Sequence, residues 1–109
     1  MLFFYNEVIP AGQTVLSVSQ YFGTDTNIAH MSERCVFIKG AGANVQINME
    51  VACIPTDRSL NPQPLDTDYI VANTYTANSL SAQLLAGVWV RFSVTNNSSS
   101  AVSVTCSVA

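Results

Sequence analysis

Val88-Trp89-Val90-Arg91-Phe92-Ser93-Val94-Thr95 alternates without a break, with Val88, Val90, Phe92 and Val94 on one face and Trp89, Arg91, Ser93 and Thr95 on the other. A period of two over eight residues marks a half-buried β-strand. Asn96-Asn97-Ser98-Ser99-Ser100 follows as a polar turn, and residues 101–108 alternate again through Val102, Val104, Cys106 and Val108. The expectation is an antiparallel hairpin that closes the chain.

The same pattern recurs upstream. Val45, Ile47, Met49, Val51 and Cys53 alternate with Asn44, Gln46, Asn48, Glu50 and Ala52, and Cys35-Val36-Phe37-Ile38 leads into them through Gly40-Ala41-Gly42-Ala43, as a second hairpin would. Cys35 to Ile38 is continuously apolar, which fits burial on both faces. Residues 2–9 and 14–19 read as two more strands around Pro10-Ala11-Gly12, and 69–75 and 80–86 as two further ones. Residues 27–34 and 79–86 have the alternative of one or two helical turns. No longer stretch has a 3.6-residue period. The expected fold is one all-β domain over residues 1–109, an antiparallel β-sandwich of jelly-roll or immunoglobulin-like type with seven or eight strands.

Composition narrows the functions. The 109 residues carry a formal charge of −3 and only 11 charged side chains, while 49% are hydrophobic. Four scattered cations, Arg34, Lys39, Arg58 and Arg91, are too few to track a phosphate backbone or an anionic membrane surface, so neither nucleic acid nor membrane is an expected partner. No apolar run approaches the ~20 residues that span a bilayer. The opening Met1-Leu2-Phe3-Phe4-Tyr5-Asn6-Glu7 lacks the basic start and the long apolar run of a signal peptide, so synthesis in the cytoplasm is expected. Ser, Thr, Asn and Gln supply 35 residues, so the surface is polar but uncharged. Such a surface loses little charge solvation when another protein covers it.

Reactive constellations are sparse. His30 has Asp25 and Glu33 near it in sequence but reads as a loop residue rather than a proton relay. No serine sits in a nucleophile elbow, and Gly40-Ala41-Gly42 lacks the Lys-Ser/Thr ending of a phosphate loop. A glycosidase pair would have to come from carboxylates on different strands, such as Glu7, Glu33, Glu50, Asp57, Asp66 and Asp68, and nothing in their spacing pairs them. Cys35, Cys53 and Cys106 are odd in number and read as free core thiols, although one disulfide plus a leftover thiol stays open. No enzyme, cofactor or metal is expected.

The opening Val8-Ile9-Pro10-Ala11-Gly12-Gln13-Thr14, the Val36-Phe37-Ile38-Lys39-Gly40-Ala41-Gly42 segment and the closing residues 87–104 resemble small bacteriophage virion proteins, particularly head decoration or capsid cement proteins. The resemblance implies a non-catalytic β-sandwich on the outer capsid surface, bound to the major capsid protein and to itself, with a trimer favoured. The very low charge departs from the family's style and leaves a carbohydrate- or receptor-binding module of a tail or fibre as the alternative.

The family has no invariant site motif to carry over, so the contact elements come from the residues themselves. They are the apolar Leu2, Phe3, Phe4 and Tyr5, the outward pair Trp89 and Arg91, and Arg58 and Leu60 in the proline-rich stretch 55–68. The N-terminal segment is read as an edge strand of its own sheet in preference to an arm exchanged with a neighbour.

Overall fold

The alternating stretch around Phe92 is the middle of the longest strand and sits at the centre of one of two stacked sheets. A computed structural model describes residues 1–23, 33–53 and 63–109. Among these residues the strands are β1 (Leu2–Ile9), β2 (Thr14–Leu16), β3 (Gln20–Phe22), β4 (Glu33–Lys39), β5 (Val45–Ala52), β6 (Ile70–Tyr75), β7 (Ser79–Leu84), β8 (Val88–Asn96) and β9 (Val102–Val108), with one 3-10 turn at Asp66–Asp68. The first sheet has the order β1-β9-β4-β7 and the second β2-β8-β5-β6, with β3 also on β8. Every pairing is antiparallel. The protein is an all-β sandwich.

Neither expected hairpin forms. β8 and β9 lie in different sheets, and so do β4 and β5. The reason is physical: alternation reports which face of a strand is buried, and both sheets bury the same kind of face. The strands pair in a nested order instead, β1 with β9, β2 and β3 with β8, β4 with β7 and β5 with β6. This is one long folded-back ribbon rolled into two sheets, the jelly-roll arrangement. In an immunoglobulin-like sandwich more of the consecutive strands would share a sheet.

Local chemistry explains the crossovers. Asn96 is fully buried at the end of β8. Its Nδ2 donates to the carbonyls of Ile9 and Ser100, each at 3.0 Å, and its Oδ1 accepts from the Ser98 amide at 2.9 Å and hydroxyl at 2.6 Å. These bonds hold the polar turn over the rim of the sandwich and tie it to the end of β1.

The stretch read as a strand over residues 14–19 stops at Leu16, because Ser17 donates its amide to the Phe92 carbonyl at 2.8 Å and accepts the Phe92 amide on its hydroxyl at 2.8 Å. A side chain thereby replaces the carbonyl that would continue the ladder. The chain rejoins β8 as β3, which lies beyond the stretch read as a strand. Residues 79–84 are strand rather than helix. Of the other helical alternative, 27–32 lies outside the described residues and Glu33 and Arg34 begin β4.

The core corrects two further expectations. Phe3 and Phe4 are both buried, at 8% and 6% exposure, so they are packing residues and not contact elements. Consecutive side chains can both turn inward because β1 shifts register against β9 between Leu2 and Phe4 and again between Phe4 and Glu7, with Asn6 at φ 46°. Such irregularities insert a residue and re-aim its neighbours. Phe3 then meets Phe92 edge-on with ring centroids 4.9 Å apart. The N-terminal segment is an edge strand of its own sheet.

Conversely, Cys35 to Ile38 is not buried on both faces. Val36 and Ile38 lie in the core, whereas Cys35 is exposed and Phe37 is 40% exposed on the outer face of the first sheet.

Candidate interaction surfaces

The outer face of the second sheet gathers the polar chemistry. On β8, Trp89, Arg91, Ser93 and Thr95 face away from the core, and antiparallel register sets Glu50 of β5 directly beside Arg91 and Tyr21 of β3 beside Trp89. Arg91 Nε donates to Glu50 Oε1 at 2.7 Å and its Nη1 to Asp66 Oδ1 at 2.7 Å. Its guanidinium lies 3.8 Å from the centre of the Tyr69 ring, and the Tyr69 hydroxyl shares a 2.6 Å hydrogen bond with the Ser19 hydroxyl.

Burial alone would lower the Arg91 pKa, but its hydrogen bonds and charge contacts with Asp66 and Glu50 outweigh that and raise it. The two ion pairs are unequal. Arg91 and Glu50 retain 11% and 14% side-chain exposure, while Asp66 retains 87%. The Asp66 pair is therefore a surface contact contributing about 0–1 kcal/mol.

Arg91 thus has an intramolecular task. It clamps the turn Asp66–Asp68 onto the sheet, and the turn is closed by the Leu65 amide donating to Asp68 Oδ2 at 2.7 Å and the Asp68 amide to the Leu65 carbonyl at 2.9 Å. The end of the proline-rich stretch is pinned in this way. Arg58 and Leu60, expected as contacts, lie outside the described residues, as does His30.

Trp89 is half-buried beside Tyr21, with ring centroids 5.4 Å apart and planes tilted by 51°. Tyr21 itself is 51% exposed. Glu50, Asp66 and Tyr69 were missed as neighbours of Arg91, since only the register of β5 on β8 and the return of the chain across the sheet bring them there.

The outer face of the first sheet is different in kind. β7 turns Leu80 and Leu84 outward at 71% and 76% exposure, with Ala82 between them. Its inward positions are the half-buried Ser79, Ser81 and Gln83. The polarity of this strand is inverted. Register places Phe37 beside Leu80, Cys35 beside Ala82 and Glu33 beside Leu84. A hollow of about 410 Å³ lined by Phe37, Ile38, Lys39, Asn78, Ser79 and Leu80 opens at one end of the strand pair. Along β1, Leu2 and Tyr5 are exposed at 53% and 68%.

The cysteines are all free, and the core-thiol expectation holds only for Cys106. Its thiol is pushed up to about 12 by burial. Cys35 and Cys53 are exposed. At pH 8 a thiol-specific reagent should therefore label two thiols in the native protein and the third only after unfolding, read by intact mass. Three fast-reacting thiols would mean that β9 opens readily.

Among the described residues no three His, Cys, Asp or Glu side chains come together as a metal site. Comparison with protein-family models, with curated proteins and with solved structures finds no match.

Proposed function

We propose that the chain is a non-enzymatic structural subunit of a phage virion, a decoration or cement protein on the capsid that binds the outer surface of the major capsid lattice and stabilises it. The observation that carries this reading is the apolar patch on the outer face of the first sheet, where Phe37, Leu80 and Leu84 stand exposed with no cover among the described residues. Contiguous apolar surface of this kind marks a site for protein contact. A cement protein needs modest contacts repeated at many lattice points, and repetition multiplies their effect through local concentration. The resemblance of the opening and closing segments to decoration proteins supports the same reading.

The test is immunogold labelling, with antibody raised to the purified chain, of particles from the cells that carry its gene. Dense labelling of heads is expected. Labelling confined to tails, or no labelled particle, overturns the proposal. A second reading, a sugar- or receptor-binding module of a tail or fibre, rests on the partly exposed Tyr21 and Trp89 pair. Its signature would be tail labelling together with glycan-array binding that Tyr21→Ala abolishes.

A further inference from the structure

Among the described residues the sandwich has four sheet edges, and they are not alike. At one edge β1 has two register shifts, and at another β6 is kinked by a shift between Met49 and Glu50. A third edge is broken into β2 and β3, each three residues long. Irregular and short edges discourage pairing with another chain. β7, at the remaining edge, pairs β4 over six residue pairs with no shift. Its sequence, Ser79-Leu80-Ser81-Ala82-Gln83-Leu84, contains no charge and no proline. It lacks every device that blunts the other edges.

From this we infer that β7 pairs antiparallel with β7 of a second copy of the chain, about a twofold axis at Ala82, joining the two four-stranded sheets into one of eight. Leu80-Ser81-Ala82-Gln83-Leu84 reads the same way in both directions in its pattern of apolar and polar positions. The axis sets Leu80 against Leu84 of the second copy, Ala82 against Ala82 and Ser81 against Gln83.

Three features of the single chain are accommodated by that register. Leu84, the most exposed large apolar side chain among the described residues, stands at one end of β7, and the 410 Å³ hollow beside Phe37 and Leu80 lies at the other. An antiparallel twofold brings each leucine to the opposite hollow. The Ser81 hydroxyl, buried and without a hydrogen-bond partner among the described residues, gains the Gln83 amide of the second copy across from it. Glu33 is aligned with Leu84, so its row continues into Leu80 and Phe37 of the second copy and no like charges meet across the axis.

A single strand-edge contact lies at the low end of interface sizes, below about 1,200 Å² in total, so the dimer dissociates on dilution. The inference does not depend on where the protein is located in a virion.

Light scattering over a dilution series should give a mass near twice the 11.7 kDa of the chain, falling to the monomer value at low concentration. Leu84→Glu should be monomeric throughout with an unchanged circular dichroism spectrum. A wild type that is monomeric at every concentration, a trimer, or a Leu84→Glu variant that still dimerises would overturn the inference. Cross-linking then checks the register in a Cys35→Ser, Cys53→Ser background, since Cys35 neighbours Ala82 within the chain.

Facing residues of antiparallel strands have Cα atoms about 4.5–5.5 Å apart, within reach of a disulfide. Ala82→Cys should therefore cross-link under mild oxidation, Leu80→Cys alone should not, and Leu80→Cys with Leu84→Cys should. Any other pattern of cross-links rejects the twofold at Ala82.

Discussion

Gly40→Ala is expected to lower the thermal midpoint by roughly 20 °C, the consequence of a loss of about 2–6 kcal/mol in a domain of this size. Two costs combine. Gly40 has φ 101°, a conformation that side-chain-bearing residues rarely adopt. An added Cβ would stand 2.4 Å from the Ser103 carbonyl oxygen and 3.0 Å from both Cα and Cγ1 of Val104. These are atoms of β9, which cannot retreat because it is paired with β1 on one side and β4 on the other.

The Gly40 amide also donates to Asn78 Oδ1 at 2.8 Å, so the turn is tied to the chain just before β7. Gly12 separates the two costs: its φ is 74°, and a Cβ there would meet nothing within 4 Å. Gly12→Ala should show the backbone strain alone, about 1–2 kcal/mol. Equal midpoints for the two variants, measured by calorimetry, would refute the close approach of Gly40 to β9.

Phe92→Ala should destabilise the protein by about 3–5 kcal/mol, the range for emptying a buried aromatic site. Phe92 is fully buried at the middle of β8 and meets Phe3 of the opposite sheet edge-on. Its strand is hydrogen-bonded on both sides, to β5 and to β2 and β3, so the backbone cannot collapse into the space the ring leaves. Urea unfolding measures the effect, with the midpoint falling and the slope unchanged. A loss below about 1 kcal/mol would mean that the surrounding side chains fill the site, and that the two sheets are not held apart by their packing.

The candidate surfaces were legible only in part. Trp89 and Arg91 were correctly assigned to the outward face of β8, because alternation alone decides it. That Arg91 is engaged by Glu50, Asp66 and Tyr69 was not legible, since those contacts join residues far apart in the chain. The inverted strand β7 shows the limit most directly. Leu80, Ala82 and Leu84 alternate with Ser79, Ser81 and Gln83, and a pattern of period two invites the assumption that the leucines point inward. The fold places them outward.

Local sequence determined the all-β class and the positions of most strands, because the steric and burial preferences that make a strand act between neighbouring residues. It also determined that Val45, Ile47 and Met49 of β5 and Val90, Phe92 and Val94 of β8 face the core, although at the end of β5 Ala52 is buried and Cys53 exposed, the reverse of the alternation. Tertiary structure alone decided that successive strands cross between sheets, that a register shift buries both Phe3 and Phe4, and that β7 stands unblunted at an edge with its leucines outward. These depend on which distant strand supplies each hydrogen-bonding partner, and an alternation that fits either sheet equally well carries no record of that choice.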